Sequence, residues 1–145
     1  MEPKADILLV EDNASDAELT IRALKKSNLI SNLLHLQNGE QALNYLFAEG
    51  EYEDRNINEI PKVILLDLKM PKIDGLEVLR QIKSDMRTNF IPVVLLTSSE
   101  EEKDIMNGYK FGVNSYVVKP VDFQNFVKAI SDIGIYWLLL NQYPK

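Results

Sequence analysis

Glu11, Asp12 and Asp67 are carboxylates that each follow a short, wholly apolar run, Ile7-Leu8-Leu9-Val10 and Val63-Ile64-Leu65-Leu66. Thr97 closes a third such run, Pro92 to Leu96, and Lys119 closes a fourth, Ser115 to Val118. An apolar run of this length, bounded by turn residues, reads as a strand buried on both faces of a parallel sheet. Pro71 cannot continue a ladder, so Asp67 falls at the carboxyl end of its strand, where open parallel sheets bind ligands. If these strands lie side by side, three carboxylates, a hydroxyl and an ammonium share one edge. Carboxylates gathered without a counter-charge repel one another. A hard divalent cation relieves this, and an oxygen-only donor set with room for water suits Mg²⁺ better than Zn²⁺. Adding Lys119 as a compact positive charge and Thr97 as a hydroxyl donor gives a site for a transferring phosphoryl group. Asp67 can be its covalent acceptor, because a carboxylate can attack phosphorus.

The elements that must position these groups alternate strand and helix five times. After the first strand, Ser15 and Glu18 have capping-box spacing and open a helix with Leu19, Ile21, Ala23 and Leu24 on its apolar face, ending at Lys25-Lys26. Leu33–Gln37 is a second strand, and Asn38-Gly39 turns into a helix carrying Ala42, Leu43, Leu46 and Phe47. The acidic stretch 49–61 has no periodicity and is expected to be a mobile surface loop or an irregular helix extension. Asp74 caps a helix begun by Gly75 and supported by Glu77, with Leu76, Leu79 and Ile82 inward. Ser99 and Glu102 again have capping-box spacing, and Gly112 stops the helix they open. The last helix runs from Phe123 to about Leu140. Alternation of this kind, with right-handed crossovers, makes an α/β, doubly wound, five-stranded parallel sheet in a single domain spanning 1–145.

Composition narrows the function. The chain has 145 residues, a net charge of −6, one histidine and no cysteine. The negative charge argues against a nucleic-acid surface, and the missing cysteines exclude disulfides, thiolate metal sites and thiol nucleophiles. No apolar run is long enough for a membrane span or a leader, so a cytoplasmic protein is expected. His35 lies among leucines and is expected to be structural rather than a phosphate carrier.

The set Glu11-Asp12, Asp67 with Met70-Pro71-Lys72-Ile73-Asp74-Gly75, Thr97-Ser98 and Lys119-Pro120 resembles the receiver domain of two-component response regulators over nearly the whole chain. That resemblance implies a flavodoxin-like sheet of order 2-1-3-4-5 with five helices. It implies that Asp67 takes a phosphoryl group from a sensor histidine kinase, and that the protein is no enzyme beyond assisting its own phosphorylation and dephosphorylation. Glu11, Asp12, Asp67 and the backbone carbonyl of Lys69 would hold Mg²⁺, while Thr97 and Lys119 would contact phosphoryl oxygens. The Lys119-Pro120 bond would be cis. Thr97 and Tyr116 would act as a switch, the ring of Tyr116 turning in as Thr97 moves toward the new anion. The face formed by the fourth helix, fifth strand and fifth helix would then change. Ser98 stands where the family favours alanine, and Lys69 and Ser99 occupy positions that tune phosphate loss.

No effector domain is expected after the last helix, so output passes through a partner, a second copy or a relay. With Phe123, Phe126, Val127, Ile130 and Trp137 inward, Ile135 and Leu139 fall on the opposite face, and Ile135, Tyr136 and Leu139 are expected to build a homodimer interface. The aromatic C-terminal end and the 49–61 insert are similar to single-domain regulators serving bacterial phytochrome kinases; the rival is a phosphate shuttle in another relay. Three other readings remain at this point. One is a flavodoxin-like binding protein, though strand-end acids repel phosphate. Another is an aspartate phosphatase, though Lys69 stands where its general acid would be. The third is a docking module that takes no phosphate, against which the intact set argues.

Overall fold

In a computed structural model of the chain, five parallel strands form one sheet of order β2-β1-β3-β4-β5. The structure describes residues 5–28, 32–119 and 122–142, without the side chain of Phe123. The strands are β1 (Ile7–Val10), β2 (Leu33–Leu36), β3 (Val63–Leu66), β4 (Val93–Thr97) and β5 (Ser115–Val118). The helices are α1 (Ala14–Lys26), α2 (Gly39–Leu46), α3 (Gly75–Ser84), α4 (Glu102–Lys110) and α5 (Phe123–Gly134). The expected fold class and strand order are both observed. The central strands β1, β3 and β4 are buried throughout, whereas the edge strands β2 and β5 are only partly so. That distribution explains the unbroken apolar runs, since a strand covered on both faces has no wet side to mark with polar residues.

Side-chain alternation splits the core in two. Leu8, Val10, Ile64, Leu66 and Leu95 pack with residues of α2 and α3, while Ile7, Leu9, Val63, Leu65, Val94 and Leu96 pack with residues of α1 and α5. The in-register pairing of Val10 with both Leu36 and Leu66 brings the carboxyl ends of β1, β2 and β3 level. Strand order reverses between β1 and β3, so their ends flank the crevice in which doubly wound sheets bind ligands.

Several local expectations are corrected. Asn13, not Ser15, caps α1: its side chain accepts from the Asp16 amide at 3.0 Å. The buried face of α1 is Ala17, Thr20, Ala23 and Leu24, while Leu19 is 36% exposed. Ser99 does not cap α4 either. Helix α4 begins after Glu101 without a side-chain cap, and the Ser99 hydroxyl donates to Asp104 instead, at 2.6 Å. Asp74 does cap α3, accepting from the Glu77 amide at 3.0 Å, and Asn38 caps α2. Gly112 ends α4 with a φ of +95°, a conformation that favours glycine.

The 49–61 stretch is tied down rather than loose. It contains a 3₁₀ turn at Gly50–Tyr52, and Tyr52 and Ile60 pack on the core. The Arg55 guanidinium stacks 4.0 Å over the Tyr45 ring and donates to the carbonyls of Tyr45 and Glu59. A guanidinium with both a ring face and two carbonyls gives this acidic segment an anchor that its lack of periodicity did not reveal.

The last helix is not uniform. After α5 the chain winds into a wider π turn, Ile135–Leu140, closed by the Asn141 amide on the Tyr136 carbonyl at 2.8 Å. Trp137 and Leu138 pack on the core while Tyr136, Leu139 and Leu140 are at least half exposed.

Candidate phosphoryl-acceptor site

Asp67 leaves β3 with its amide bonded to the Val10 carbonyl at 3.0 Å, and Glu11 leaves β1 with its amide on the Leu36 carbonyl, also at 3.0 Å. These ladder bonds place the two acids on adjacent strands at the same height. Glu11, Asp12 and Asp67 each bring a carboxylate oxygen to within 4.8 Å of the others. Glu11 is buried, Asp67 partly so, and Asp12 is exposed, so the cluster opens to solvent on one side. Beyond β5, the Lys119 amide donates to the Thr97 carbonyl at 2.7 Å, which brings the ends of β4 and β5 to the same edge. The Lys119 ammonium reaches across to Glu11 Oε1 at 2.7 Å. Thr97 is fully buried at its strand end, and its hydroxyl oxygen accepts from the Ser99 amide at 3.3 Å. The five sequence-derived residues therefore lie at one edge of the sheet. The cis Lys119-Pro120 bond involves Pro120, which lies outside the described residues.

The loop after Asp67 is held by a close backbone approach. Its Oδ1 accepts from the Leu68 amide at 2.9 Å, and the Gly75 amide donates to the Leu68 carbonyl at 2.8 Å. A Cβ on Gly75 would stand 2.2 Å from the Asp67 carbonyl oxygen, so only glycine fits there. The glycine in the Asp74-Gly75 pair is thus required by the backbone at Asp67.

The electrostatics match a crowded acid cluster. Burial above all, then hydrogen bonding and charge from Glu11, push the Asp67 carboxyl up from 3.8 to about 7, with Lys119 opposing. Burial works against the Lys119 charge, yet the hydrogen bonds to Glu11 and Asp16 outweigh it and hold this lysine above its usual range. Hard oxygen donors, tight spacing and surplus negative charge fit a small divalent cation.

Two residues at this edge escaped the sequence reading. Asp16, in the first turn of α1, accepts from the Lys119 ammonium at 3.0 Å. Asp104 is buried in the first turn of α4, bonded by the Ser99 hydroxyl and 3.5 Å from the Lys69 ammonium. The hydrogen bond from Ser99, despite burial, keeps the Asp104 carboxyl below the ordinary range, and Lys69 adds to this. Four-residue spacing from Asp12 was the only signal for Asp16, and nothing marked Asp104 in a helix already rich in acids. His35, expected to be structural, donates from Nε2 to the Glu11 carbonyl at 2.8 Å, steadying the strand end that carries the acid pair. Tyr116 donates its hydroxyl to the Ser99 carbonyl at 2.9 Å, with its ring beside Gly108.

This chain belongs to the response regulator receiver domain family, whose pattern matches residues 7–131. A probable methanogenesis regulatory protein, FilR2 of Methanothrix harundinacea, is 40% identical over 138 residues, 95% of this chain and 86% of that one. Response regulator Rcp1 of Synechocystis is 40% identical over 136 residues, 94% of this chain and 90% of that one. The crystal structure of the Mn²⁺-bound form of Rcp1 matches with a TM-score of 0.87 over 99% of this chain and 100% of that one, at 39% identity. The bacteriophytochrome response regulator RtBRR matches at 53% identity and a TM-score of 0.76, over 95% of this chain and 82% of that one. Receiver domains are phosphoacceptors of phosphorelay signalling and take their phosphoryl groups from histidine kinases, so the protein is a response regulator.

Proposed function

We propose that Asp67 is the phosphoacceptor, receiving its phosphoryl group from the histidine of a sensor kinase of the phytochrome type. The observation that carries this is the convergence of Glu11, Asp12 and Asp67 within 4.8 Å at the switch point of the sheet. An ionised Asp67 oxygen attacks phosphorus in line; the bond from phosphorus to the donor imidazole nitrogen breaks, and that nitrogen keeps the electron pair. The resulting acyl phosphate is lost when water attacks phosphorus and the carboxylate is regenerated. Lys119 pairs with a phosphoryl oxygen, and the Thr97 hydroxyl donates to another. Glu11, Asp12, Asp67 and the Lys69 carbonyl would hold Mg²⁺, which would offset the charge of the acids and of the incoming anion. The Mn²⁺-bound form of Rcp1 supports a divalent ion at this kind of site. Kinase choice is supported by the likeness to RtBRR, and a cytoplasmic location follows from a partner of that kind. Among the described residues, no helix is long and apolar enough to cross a membrane.

Incubation with acetyl phosphate and Mg²⁺ is expected to add one acid-stable, base-labile phosphate to the wild type and none to Asp67→Asn, as read by intact mass. Equal labelling of both would overturn the assignment. A panel of kinases, compared by initial transfer rate, tests the phytochrome pairing against the relay-shuttle reading.

In the proposed switch, movement of Thr97 toward the phosphoryl group shifts the Ser99 segment, and with it the Tyr116 hydroxyl bonded there and the α4-β5-α5 face. The exposed Ile135, Tyr136, Leu139 and Leu140 on the π turn support a homodimer through the C-terminal helix, without nucleic acid. Light scattering is expected to give a dimer mass for the wild type and a monomer for a Tyr136→Ser, Leu139→Ser double variant. A wild type that stays monomeric at high concentration, with or without a phosphoryl mimic, would remove this interface.

A further inference from the structure

Among the described residues, Lys119 is the cation that pairs with the acid cluster, yet its ammonium is bonded elsewhere than to Asp67. Among the described residues it donates to Glu11 Oε1 at 2.7 Å and to Asp16 Oδ2 at 3.0 Å, and makes no hydrogen bond to Asp67. Asp67 turns instead to the Leu68 amide. Asp16 is not part of the carboxylate cluster: it sits on α1, fixed by its amide on the Asn13 cap and by the Thr20 hydroxyl on its carbonyl. Its side chain is 40% exposed, against 12% for Lys119 and 4% for Glu11. We infer that Asp16 is a positioning residue that tethers the Lys119 ammonium to α1, away from Asp67, and so restrains both phosphoryl transfer and phosphate retention.

The inference rests on the phosphoacceptor reading for its consequence, though not for the tether itself. An ammonium has three protons to donate, and two are already directed to carboxylates on the β1-α1 side. A phosphoryl group on Asp67 carries more charge than the Asp67 carboxylate and is a stronger competitor for that ammonium. Asp16, partly in water, holds it only weakly, because solvent screens exposed pairs. The tether is therefore a restraint that an arriving phosphoryl group overcomes at a cost.

Asp16→Asn tests this while preserving side-chain size and both backbone hydrogen bonds. In metal-free protein, the Lys119 amine should be acylated about threefold faster by a small reagent, measured on its peptide by mass spectrometry, the scale expected on losing a half-exposed ion pair. With Mg²⁺ and acetyl phosphate, the labelling rate of Asp67 should rise by about the same factor. Asp16→Glu, which keeps the charge, should return both rates toward wild type. Glu18→Gln removes a charge from the same helix away from Lys119 and should leave both unchanged. In a Lys119→Met background, Asp16→Asn should give no further gain in labelling. A rate equal to or below wild type for Asp16→Asn, or an equal gain from Glu18→Gln, would overturn the tether. If wild type takes no phosphate but the amine still reacts faster in Asp16→Asn, the acceptor assignment fails and the tether stands.

Discussion

Lys119→Met is expected to cost about 2–3 kcal/mol of stability at pH 8 and to slow phosphoryl transfer to Asp67 about a hundredfold or more. Methionine keeps the length and packing of the lysine stem, so the loss isolates the charge. In the folded protein the ammonium bonds Glu11, whose side chain is 4% exposed, and Asp16, and it opposes the charge on Asp67. Removing one partner of a buried ion pair leaves the other desolvated and uncompensated, a loss of about 3–5 kcal/mol for fully buried groups. The partial exposure of Asp16 brings the expected figure below that range. In a domain of this size, such a loss lowers Tm by roughly 8 °C. The defect should shrink at pH 5.5, where Asp67 holds its proton and the cluster carries less charge. Urea titrations at the two pH values decide the matter, because an equal loss at both would mean that packing, not charge, had been removed. The transfer defect follows from losing the cation that would pair with the phosphoryl oxygens, and single-turnover labelling with a small donor measures it.

Asp67→Asn should make the metal-free protein more stable at pH 8, by about 2 kcal/mol, while abolishing its labelling. The folded carboxyl titrates at about 7 against an ordinary value of 3.8, with burial the largest cause and Glu11 the next. Between those values the folded chain binds a proton that the unfolded chain has released. The stability this group contributes is therefore fully present below about pH 4 and is lost as pH rises through about 7. A shift of this size corresponds at most to about 4 kcal/mol, halved here because Asp67 is partly solvated. An amide titrates nowhere in this range, so the two proteins should converge at acid pH and separate above neutrality in EDTA. Millimolar Mg²⁺ should stabilise wild type preferentially and close the gap, since an ion bound only by the folded state adds stability in proportion to its occupancy. A variant less stable than wild type at pH 8 in EDTA would mean that the acids are not under mutual repulsion.

The apolar runs Ile7–Val10, Val63–Leu66 and Val93–Thr97 determined most of the architecture by themselves. Continuous burial of four or five residues is compatible with a central parallel strand and with little else of that length, and each run ends on a residue that cannot enter the core uncompensated. Type and position along the strand therefore sufficed to name Glu11, Asp12, Asp67, Thr97 and Lys119. The cap at Asp74 was legible for a similar reason, as it acts on its own backbone three residues away. The caps at Ser15 and Ser99 misled because the same local code was satisfied by a competitor: Asn13 lies two residues earlier, and Asp104 claims the Ser99 hydroxyl.

Only the tertiary structure decided which charges face each other. Lys119 and Asp16 are separated by 103 positions, and no periodicity links a strand end to the first turn of a distant helix. The anchoring of the 49–61 stretch by Arg55, the burial of Asp104 and the widening of the last helix into a π turn are of the same kind. Each depends on the space left when helices settle on the sheet, and that space is fixed by packing among residues far apart in the chain. The sequence by itself determined that Glu11, Asp12 and Asp67 end their strands at one edge of the sheet. The fold decided which partner holds the cation at that edge, because an ammonium on a flexible four-carbon stem goes to whichever carboxylates packing brings within reach.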